Sequence, residues 1–175
     1  LLPAGEQVAV IHSRFAPDGA GVYYTSDEGA EFVGLRYWDL ATRASRALTP
    51  DLPWDVEDFA VSDDGALLAL LANEDGASRL RVIRLASGEQ RELPGLPSGV
   101  ASSLRFEPGS RRLALALVTP RSPGDVYTVD LAGSELVRWT RSELGGLDAA
   151  TLQSPDLIRF PTFDRVGNGR RTIPA

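Results

Sequence analysis

The stretch Phe15-Ala16-Pro17-Asp18-Gly19, which leads into the β-rich run Gly21–Ser26, decides the fold because the chain repeats it. Equivalent turns begin 46 residues after Phe15, at Val61-Ser62-Asp63-Asp64-Gly65, and 45 residues later again, at Phe106-Glu107-Pro108-Gly109-Ser110. Each copy joins an apolar residue to a strand-like run through Pro, Asp or Gly, the residues that tight turns between antiparallel strands select. The spacing therefore predicts a repeated β-hairpin.

The remainder of each unit keeps the same register. Three further segments follow one another at steps of 45 and 46 residues: Trp38-Asp39-Leu40-Ala41, Ile83-Arg84-Leu85-Ala86 and Val129-Asp130-Leu131-Ala132. Repeats of about 40 to 50 residues with four strands each are the mark of a β-propeller. We therefore predict an all-β fold, a β-propeller fragment of about three four-stranded antiparallel blades at residues 2–48, 49–93 and 94–139. The chain is expected to open at Leu2 on the last strand of a further blade.

Within the repeats, the innermost strands are predicted at Val8–Phe15, Val56–Val61 and Ala101–Phe106. The apolar runs Leu67–Leu71 and Leu113–Val118 indicate strands that are covered on both faces, as in stacked blades. The second turn of the third repeat is predicted to expand to Thr119–Gly124.

The repeat stops after Trp139. A short helix is predicted around Leu147–Leu152, an extended segment at Leu157–Asp164, a loop at Val166–Gly169 and the start of another strand at Arg171–Ala175. We therefore divide the chain into a partial propeller, residues 1–141, and a linker with the first strand of a following domain, residues 142–175.

Composition narrows the classes of function. The net charge of −6 argues against a nucleic-acid surface or an anionic membrane face. The chain has no Cys, which excludes disulfides and thiolate chemistry. No apolar run approaches the roughly 20 residues needed to cross a bilayer. We expect no cofactor, no nucleic-acid or membrane partner, and a cytoplasmic protein.

The repeated turn and the third strand resemble the blades of Tol-type and prolyl-oligopeptidase-type propellers. The tail is more specific: Ser154-Pro155-Asp156-Leu157-Ile158-Arg159-Phe160-Pro161-Thr162-Phe163-Asp164, with Arg171-Thr172-Ile173-Pro174-Ala175, is similar to the crossing from propeller to hydrolase domain in the prolyl-oligopeptidase family, and the whole chain resembles its acylaminoacyl-peptidase-like members. The family usually places Gly directly after that Asp. Here Arg165 follows instead, and Gly167 and Gly169 come later, which indicates an inserted hairpin.

The resemblance implies a serine peptidase whose α/β-hydrolase domain is capped by a propeller, with the catalytic residues in the hydrolase domain. This chain is then part of the non-catalytic, substrate-gating propeller. Its implied partners are the rest of the propeller, the hydrolase domain of the parent chain, and peptide substrates. No catalytic residue is carried over, because the sequence ends where the hydrolase domain would begin. The alternative is a non-enzymatic Tol-type propeller that mediates protein–protein interaction.

Four residues are candidates for lining the substrate channel. His12, the single histidine, has Asp58 and Ser103 as its repeat equivalents, each three residues before the apolar anchor of an inner strand. That position lies on the wall of the central channel. Because the sequence contains no Gly-x-Ser-x-Gly nucleophile elbow, His12 is interpreted as a variable polar wall position rather than as the base of a triad. Trp54, between repeats, is the aromatic placed for ligand contact near the channel mouth.

Two other groups of side chains bear on metal and phosphate binding. The acidic residues Asp51, Asp55, Glu57 and Asp58 and the turn Asn73-Glu74-Asp75-Gly76 suggest calcium by composition, but neither follows the twelve-residue loop spacing. Asp and Asn are also the residues that tight turns select, so no metal site is predicted. The arginines are dispersed one or two per strand, which argues against a stripe that tracks phosphates.

An open arc of three blades leaves the faces of its end blades without a neighbour. We expect apolar surface around Tyr23 and Leu115 to be exposed there. Exposed patches of that kind seek partners, so the sequence predicts self-association through the open blade faces.

Overall fold

The computed structural model describes residues 8–133, 135–166 and 169–174. Its strands form three four-stranded antiparallel sheets and one two-stranded hairpin, and each four-stranded sheet places its strands in the order of the chain. No α-helix occurs among the described residues, and none of them belongs to a helix able to span a membrane. The predicted fold class, a β-propeller array of three four-stranded blades, is confirmed.

Blade 1 consists of β1 (Val10–Phe15), β2 (Gly21–Ser26), β3 (Gly34–Asp39) and β4 (Ser45–Ala47). Blade 2 consists of β5 (Val56–Val61), β6 (Leu67–Glu74), β7 (Ala77–Arg84) and β8 (Glu89–Glu92). Blade 3 consists of β9 (Val100–Phe106), β10 (Arg112–Thr119), β11 (Ser122–Asp130) and β12 (Leu136–Arg138). A single 3-10 turn (Ala149–Thr151) follows, and then the hairpin strands β13 (Arg159–Val166) and β14 (Gly169–Pro174).

The three predicted inner strands correspond to β1, β5 and β9, with ends that differ by two residues at most. The strand expected at Leu2 lies outside the described residues. The predicted expansion of the turn at Thr119–Gly124 is wrong, because Thr119 pairs directly with Ser122 across a two-residue turn. A β-bulge beside that turn absorbs Pro123, which has no N–H to offer the ladder.

The repeated turn is closed by its own side chains. The carboxylate of Asp18 accepts a hydrogen bond from the N–H of Ala20 at 2.9 Å, and Asp64 accepts one from Ala66 at the same distance. Gly19 follows Asp18 in the left-handed region, with a φ of 71°, where an L side chain is disfavoured. The Asp-Gly pair therefore recurs because the turn needs both a backbone acceptor and a left-handed residue.

The core consists of two apolar clusters on opposite faces of blade 2. One lies between blades 1 and 2 and contains Phe59, Leu68 and Leu70, together with Tyr23 and Leu35 of blade 1. The other lies between blades 2 and 3. It contains, among others, Leu67, Ala69 and Leu71 of β6 and Leu113, Leu115 and Leu117 of β10. The blades are therefore stacked face to face, with blade 2 in the middle.

The prediction of strands covered on both faces holds for β6, in which every residue from Leu67 to Ala72 is buried. It does not hold for β10. There Leu113, Leu115 and Leu117 are buried, whereas the intervening alanines are half-buried and Val118 is exposed. The pattern alternates because only the face toward blade 2 is covered.

Tyr23 and Leu115 were expected on exposed end faces, and this expectation is wrong. Tyr23 is 7% exposed and Leu115 is 2% exposed, because both side chains point toward blade 2. The uncovered side of blade 3 instead presents Val118 and Val126, with Trp139 also exposed just after β12. Self-association through the outer faces stays a prediction.

Hydrogen bonds also join neighbouring blades at the start of each inner strand. The N–H of Val56, at the start of β5, donates to the carbonyl of Val33 at 2.8 Å. The N–H of Ala101 in β9 donates to the hydroxyl of Ser78 at 2.9 Å. Each inner strand is therefore tied to the third strand of the blade before it, or to the residue just ahead of that strand.

A buried carboxylate fixes the path of the chain as it leaves blade 3. Asp125, which is 2% exposed, accepts hydrogen bonds from the Ser122 hydroxyl, from Arg138 Nη2 at 2.6 Å, from Thr140 Oγ1 at 2.9 Å and from the N–H of Ser142 at 2.8 Å. These hydrogen bonds, that from Ser122 foremost, hold the pKa of Asp125 well below its usual range. The carboxylate links β11 to β12 and to the tail.

The tail then returns over the edge of the arc. The helix expected at Leu147–Leu152 is only the one 3-10 turn, whereas the inserted hairpin is present as β13 and β14, paired antiparallel. Its predicted turn residues Gly167 and Asn168, and the terminal Ala175, lie outside the described residues. Arg159 forms an ion pair with Asp75 at 2.5 Å and Arg171 with Glu31 at 3.8 Å, so the hairpin contacts the β6–β7 turn and the β2–β3 connection.

Truncation of Phe59 tests the stacking of blades 1 and 2. Phe59 is fully buried between them, and we expect Phe59→Ala to lower the free energy of unfolding by about 3 to 5 kcal/mol through lost burial and the resulting cavity. Urea denaturation followed by circular dichroism measures the change. Phe163 is fully exposed, so Phe163→Ala should leave the midpoint unchanged; equal effects of the two variants would contradict the stacking.

The Asp125 network predicts a specific dependence of stability on pH. A carboxylate with a lowered folded pKa stabilises the fold above the pKa of the unfolded side chain, about 3.9, and this stabilisation is lost as the pH falls through the folded pKa. Asp125→Asn should therefore lower the melting temperature at pH 7 by about 5 °C or more, with a smaller difference from wild type at pH 3. The exposed Asp156 provides the control Asp156→Asn, and a deficit for Asp125→Asn that does not shrink at low pH would contradict the network.

Candidate functional site

The inner strands β1, β5 and β9 occupy the same edge of their three blades and together form a concave face. Two adjoining concavities lie along it. The first, about 450 Å³, is lined by residues near the start of the strands and is called the polar concavity. The second, about 370 Å³, lies toward the β1–β2 and β5–β6 turns and is called the turn-side concavity. This face corresponds to the channel wall that the repeat predicts.

Three of the four predicted lining residues meet in one place. His12, Asp58 and Ser103 all line the polar concavity. Trp54 does not line either concavity; it is half-buried against the apolar cluster between blades 1 and 2. Its part in contacting a ligand, like the channel-lining role of the other three, stays a prediction.

A β-bulge places these three side chains. Each inner strand carries one extra residue within about one position of the same point of the repeat, between Val10 and Ser13, between Val56 and Asp58, and between Ser102 and Arg105. A bulge bends the strand and leaves backbone groups outside the ladder. In β9 it puts Ser103 in the left-handed region, with a φ of 59°.

Asp58 satisfies the backbone groups that the bulges release. One carboxylate oxygen accepts the N–H of Phe59 at 2.8 Å, and the other accepts the N–H of Leu104, in the next blade, at 2.8 Å. Leu104 is fully buried, so its N–H needs a partner inside the protein. Asp58 therefore joins blades 2 and 3, and both of its oxygens are occupied.

The rest of the acidic cluster is also divided among separate structural contacts. Asp55 accepts a hydrogen bond from the N–H of Val33 at 2.7 Å, and Glu57 accepts one from Nδ2 of Asn73 at 2.9 Å. Asn73 in turn accepts the N–H of Gly76 at 3.0 Å and so shapes the β6–β7 turn. Within the described ranges, no group of three or more Asp, Glu or His side chains is arranged to hold a metal ion.

Two arginines that the sequence analysis treated as dispersed converge on this face. Arg14 of β1 and Arg105 of β9 both line the polar and the turn-side concavities. They occupy the same position two repeats apart, and the residue between them in the repeat is Ala60. The equivalence of Arg14 and Arg105 can be read from the sequence, but only when the same position is compared across all three inner strands.

No protein-family model matches the chain. Solved structures share its fold. A puromycin hydrolase is 23% identical with a TM-score of 0.73 over 97% of this chain and 25% of the hydrolase. A structure from a study of two prolyl endopeptidases is 16% identical with a TM-score of 0.69 over 97% of this chain and 24% of the endopeptidase. TolB from Acinetobacter baumannii is 18% identical with a TM-score of 0.63 over 74% of this chain and 32% of TolB.

The chain thus spans about a quarter of the length of either peptidase and about a third of TolB. Both kinds of propeller that the sequence resembles have the fold observed here. The neighbours differ in one respect, because the two peptidases match almost the whole chain whereas TolB matches about as many residues as the three blades contain.

Removal of the Asp58 carboxylate tests its role in joining the blades. Asp58→Ala leaves the buried N–H of Leu104 without an acceptor, which typically costs about 1 to 3 kcal/mol. We expect faster amide hydrogen exchange at Phe59 and Leu104 and a lower midpoint in urea. Asp51 is exposed, so Asp51→Ala is the matched control and should change neither; unchanged exchange at Leu104 in Asp58→Ala would contradict the assignment.

Proposed function

We propose that this chain is part of the propeller domain of a prolyl-oligopeptidase-type serine peptidase, and that the propeller controls which peptides reach the active site. One observation carries the proposal. At 97% coverage, the two peptidases leave about five residues of this chain unmatched, so they match most of the 37 residues after Arg138. TolB leaves about 45 residues unmatched. The difference is close to the length of the tail, and this supports the peptidase proposal.

The proposal gives the two parts of the chain different tasks. Residues 1–141 form part of the propeller, and residues 142–175 lead toward an α/β-hydrolase domain. The geometry of the tail supports this division, because the Asp125 network fixes its departure from blade 3 and the hairpin is held to blades 2 and 1 by Arg159 and Arg171. A connection anchored at several points holds a following domain in a defined position over the arc.

The concave inner face supports a gating role for the complete propeller. A narrow passage lined by inner strands admits short, flexible peptides and excludes folded proteins. A cap of this kind also keeps bulk water away from the reacting groups during the reaction. The chain itself supplies no nucleophile elbow and a single histidine, so the catalytic residues belong to the hydrolase domain.

The partners under this proposal are the remaining blades, the hydrolase domain and peptide substrates, in a cytoplasmic enzyme. The alternative, a Tol-type propeller that binds other proteins, uses the same blades without a hydrolase domain. Fold alone does not separate the two, because function resides in sites that the fold carries.

Serine-directed labelling of the native polypeptide that contains this chain tests the proposed function. An antibody raised against the chain isolates that polypeptide from its source cells, and a fluorophosphonate probe then reports a reactive serine. We expect labelling of the native polypeptide and hydrolysis of prolyl or aminoacyl chromogenic substrates. The 175-residue chain alone should show neither, because it lacks the elbow and two members of a triad.

Heat-denatured polypeptide is the control for nonspecific labelling. A native polypeptide that carries no reactive serine would contradict the peptidase proposal and favour the Tol-type alternative. Turnover by the isolated chain that a serine-directed inhibitor abolishes would contradict its non-catalytic role.

A further inference from the structure

Arg14 and Arg105 are the two residues that the polar and turn-side concavities have in common. They therefore lie at the boundary between the concavities, part-way along the concave face. Ala60 holds the equivalent position on β5, between the two strands that carry the arginines. Its methyl group is buried in the apolar cluster between blades 2 and 3, so β5 places no charged side chain at this position of the repeat.

Both guanidinium groups keep most of their hydrogen-bonding capacity. Arg14 Nη1 donates to the carbonyl of Ser13 at 3.0 Å, and the group lies 5.9 Å from the centre of the Phe59 ring. Arg105 Nη1 donates to the carbonyl of Leu104 at 2.8 Å. Neither arginine forms an ion pair within the described part of the chain. A guanidinium has five N–H donors, so each retains several for a ligand.

The acidic groups that line the same two concavities are already engaged. Asp58 accepts two backbone N–H groups, Glu57 accepts Asn73 Nδ2, and Asp63 accepts the N–H of Gly109 at 3.1 Å. Both oxygens of Asp58 are occupied, and Glu57 and Asp63 each use one oxygen, whereas neither arginine is paired with any of these carboxylates. His12, Ser102 and Ser103 also line the polar concavity, but Arg14 and Arg105 are the permanently charged donors that a ligand meets on this face.

We propose that Arg14 and Arg105 together bind a carboxylate group of a peptide in the concave face. The planar guanidinium matches the two oxygens of a carboxylate and forms paired, charge-assisted hydrogen bonds with it. Because three acidic residues also line the two concavities, a singly charged carboxylate is repelled less there than a dianionic phosphate. The inference rests on the proposed function, since it names the chemical group by which the channel recognises a peptide.

Two sources supply such a group, the C-terminal carboxylate of a peptide and an acidic side chain within it. Three pentapeptides of Gly and Ala, each labelled at the N-terminus with an uncharged BODIPY dye, distinguish them: one with a free C-terminus, one with a C-terminal amide, and one amide with a central Glu. Fluorescence anisotropy with the full 175-residue chain measures the dissociation constant of each. We expect the first or the third peptide to bind about tenfold more tightly than the plain amide.

Variants locate the site. Arg105→Gln and Arg14→Gln should each weaken the preferred peptide about five- to tenfold and leave the plain amide unchanged. Arg79, an exposed residue of β7 that lines neither concavity, provides the control Arg79→Gln, which removes the same charge elsewhere. Since Arg14 also contacts Phe59, circular dichroism checks its folding; Arg105, bonded only to its own strand, keeps the test valid if Arg14→Gln unfolds.

The outcomes separate this inference from the proposed function. Equal binding of all three peptides, or equal losses in Arg79→Gln and Arg105→Gln, overturns the carboxylate site but leaves a peptide-binding channel in place. Failure of every peptide to bind overturns both the site and the channel. Selective binding that the Arg105 change removes supports the site even if the native polypeptide carries no reactive serine, in which case the peptidase proposal alone fails.

Discussion

Six consecutive buried residues in β6, from Leu67 to Ala72, impose the constraint on which the structure depends. Successive side chains of a strand point to opposite faces, so a strand of this kind needs cover on both sides. Blade 1 supplies one cover and blade 3 the other, and each contributes a single apolar face to blade 2. The alternation of β10 follows from the same rule, because only its inward residues meet a neighbour. The blades therefore stack because neither face of β6 can be left exposed to solvent.

Stacking fixes the inner strands side by side, and the bulges then determine what the concave face offers. A bulge releases backbone N–H groups next to the buried core, and Asp58 accepts two of them across the boundary between blades. Asp58 and Glu57, which the sequence offers as candidate site residues, therefore make hydrogen bonds that stabilise the fold. Arg14 and Arg105, one repeat on either side of Ala60, retain donors because nothing acidic on the described inner strands pairs with them. The chemistry of the face lies with the cations, although the chain as a whole is acidic.

The sequence predicts the fold well because the repeat depends on local turn chemistry. A side-chain acceptor closes the turn in each copy, Asp18 and Asp64 in the first two and Ser110 in the third, so turn residues recur in a readable register. Other features depend on neighbours that no local pattern reveals. The burial of Tyr23 follows from which way its strand faces within the stack, and the tight turn before Ser122 depends on a bulge that absorbs Pro123. The left-handed backbone of Ser103 is not evident from the sequence, since serine does not favour this conformation and the equivalent residues His12 and Asp58 do not adopt it.

The tail hairpin lies beside one end of the concave face. It reaches the β6–β7 turn at Asp75 and the β2–β3 connection at Glu31. The inner strands start at that same edge, because the N–H of Asn73, at the end of β6, bonds to the carbonyl of Asp55, just before β5. The polar concavity therefore lies nearer the hairpin, and the arginines lie farther along the strands. Under the proposed function, a hydrolase domain positioned by the hairpin would face His12 and the engaged carboxylates first. A peptide whose carboxylate is held at the arginines would then extend its remaining residues toward that domain.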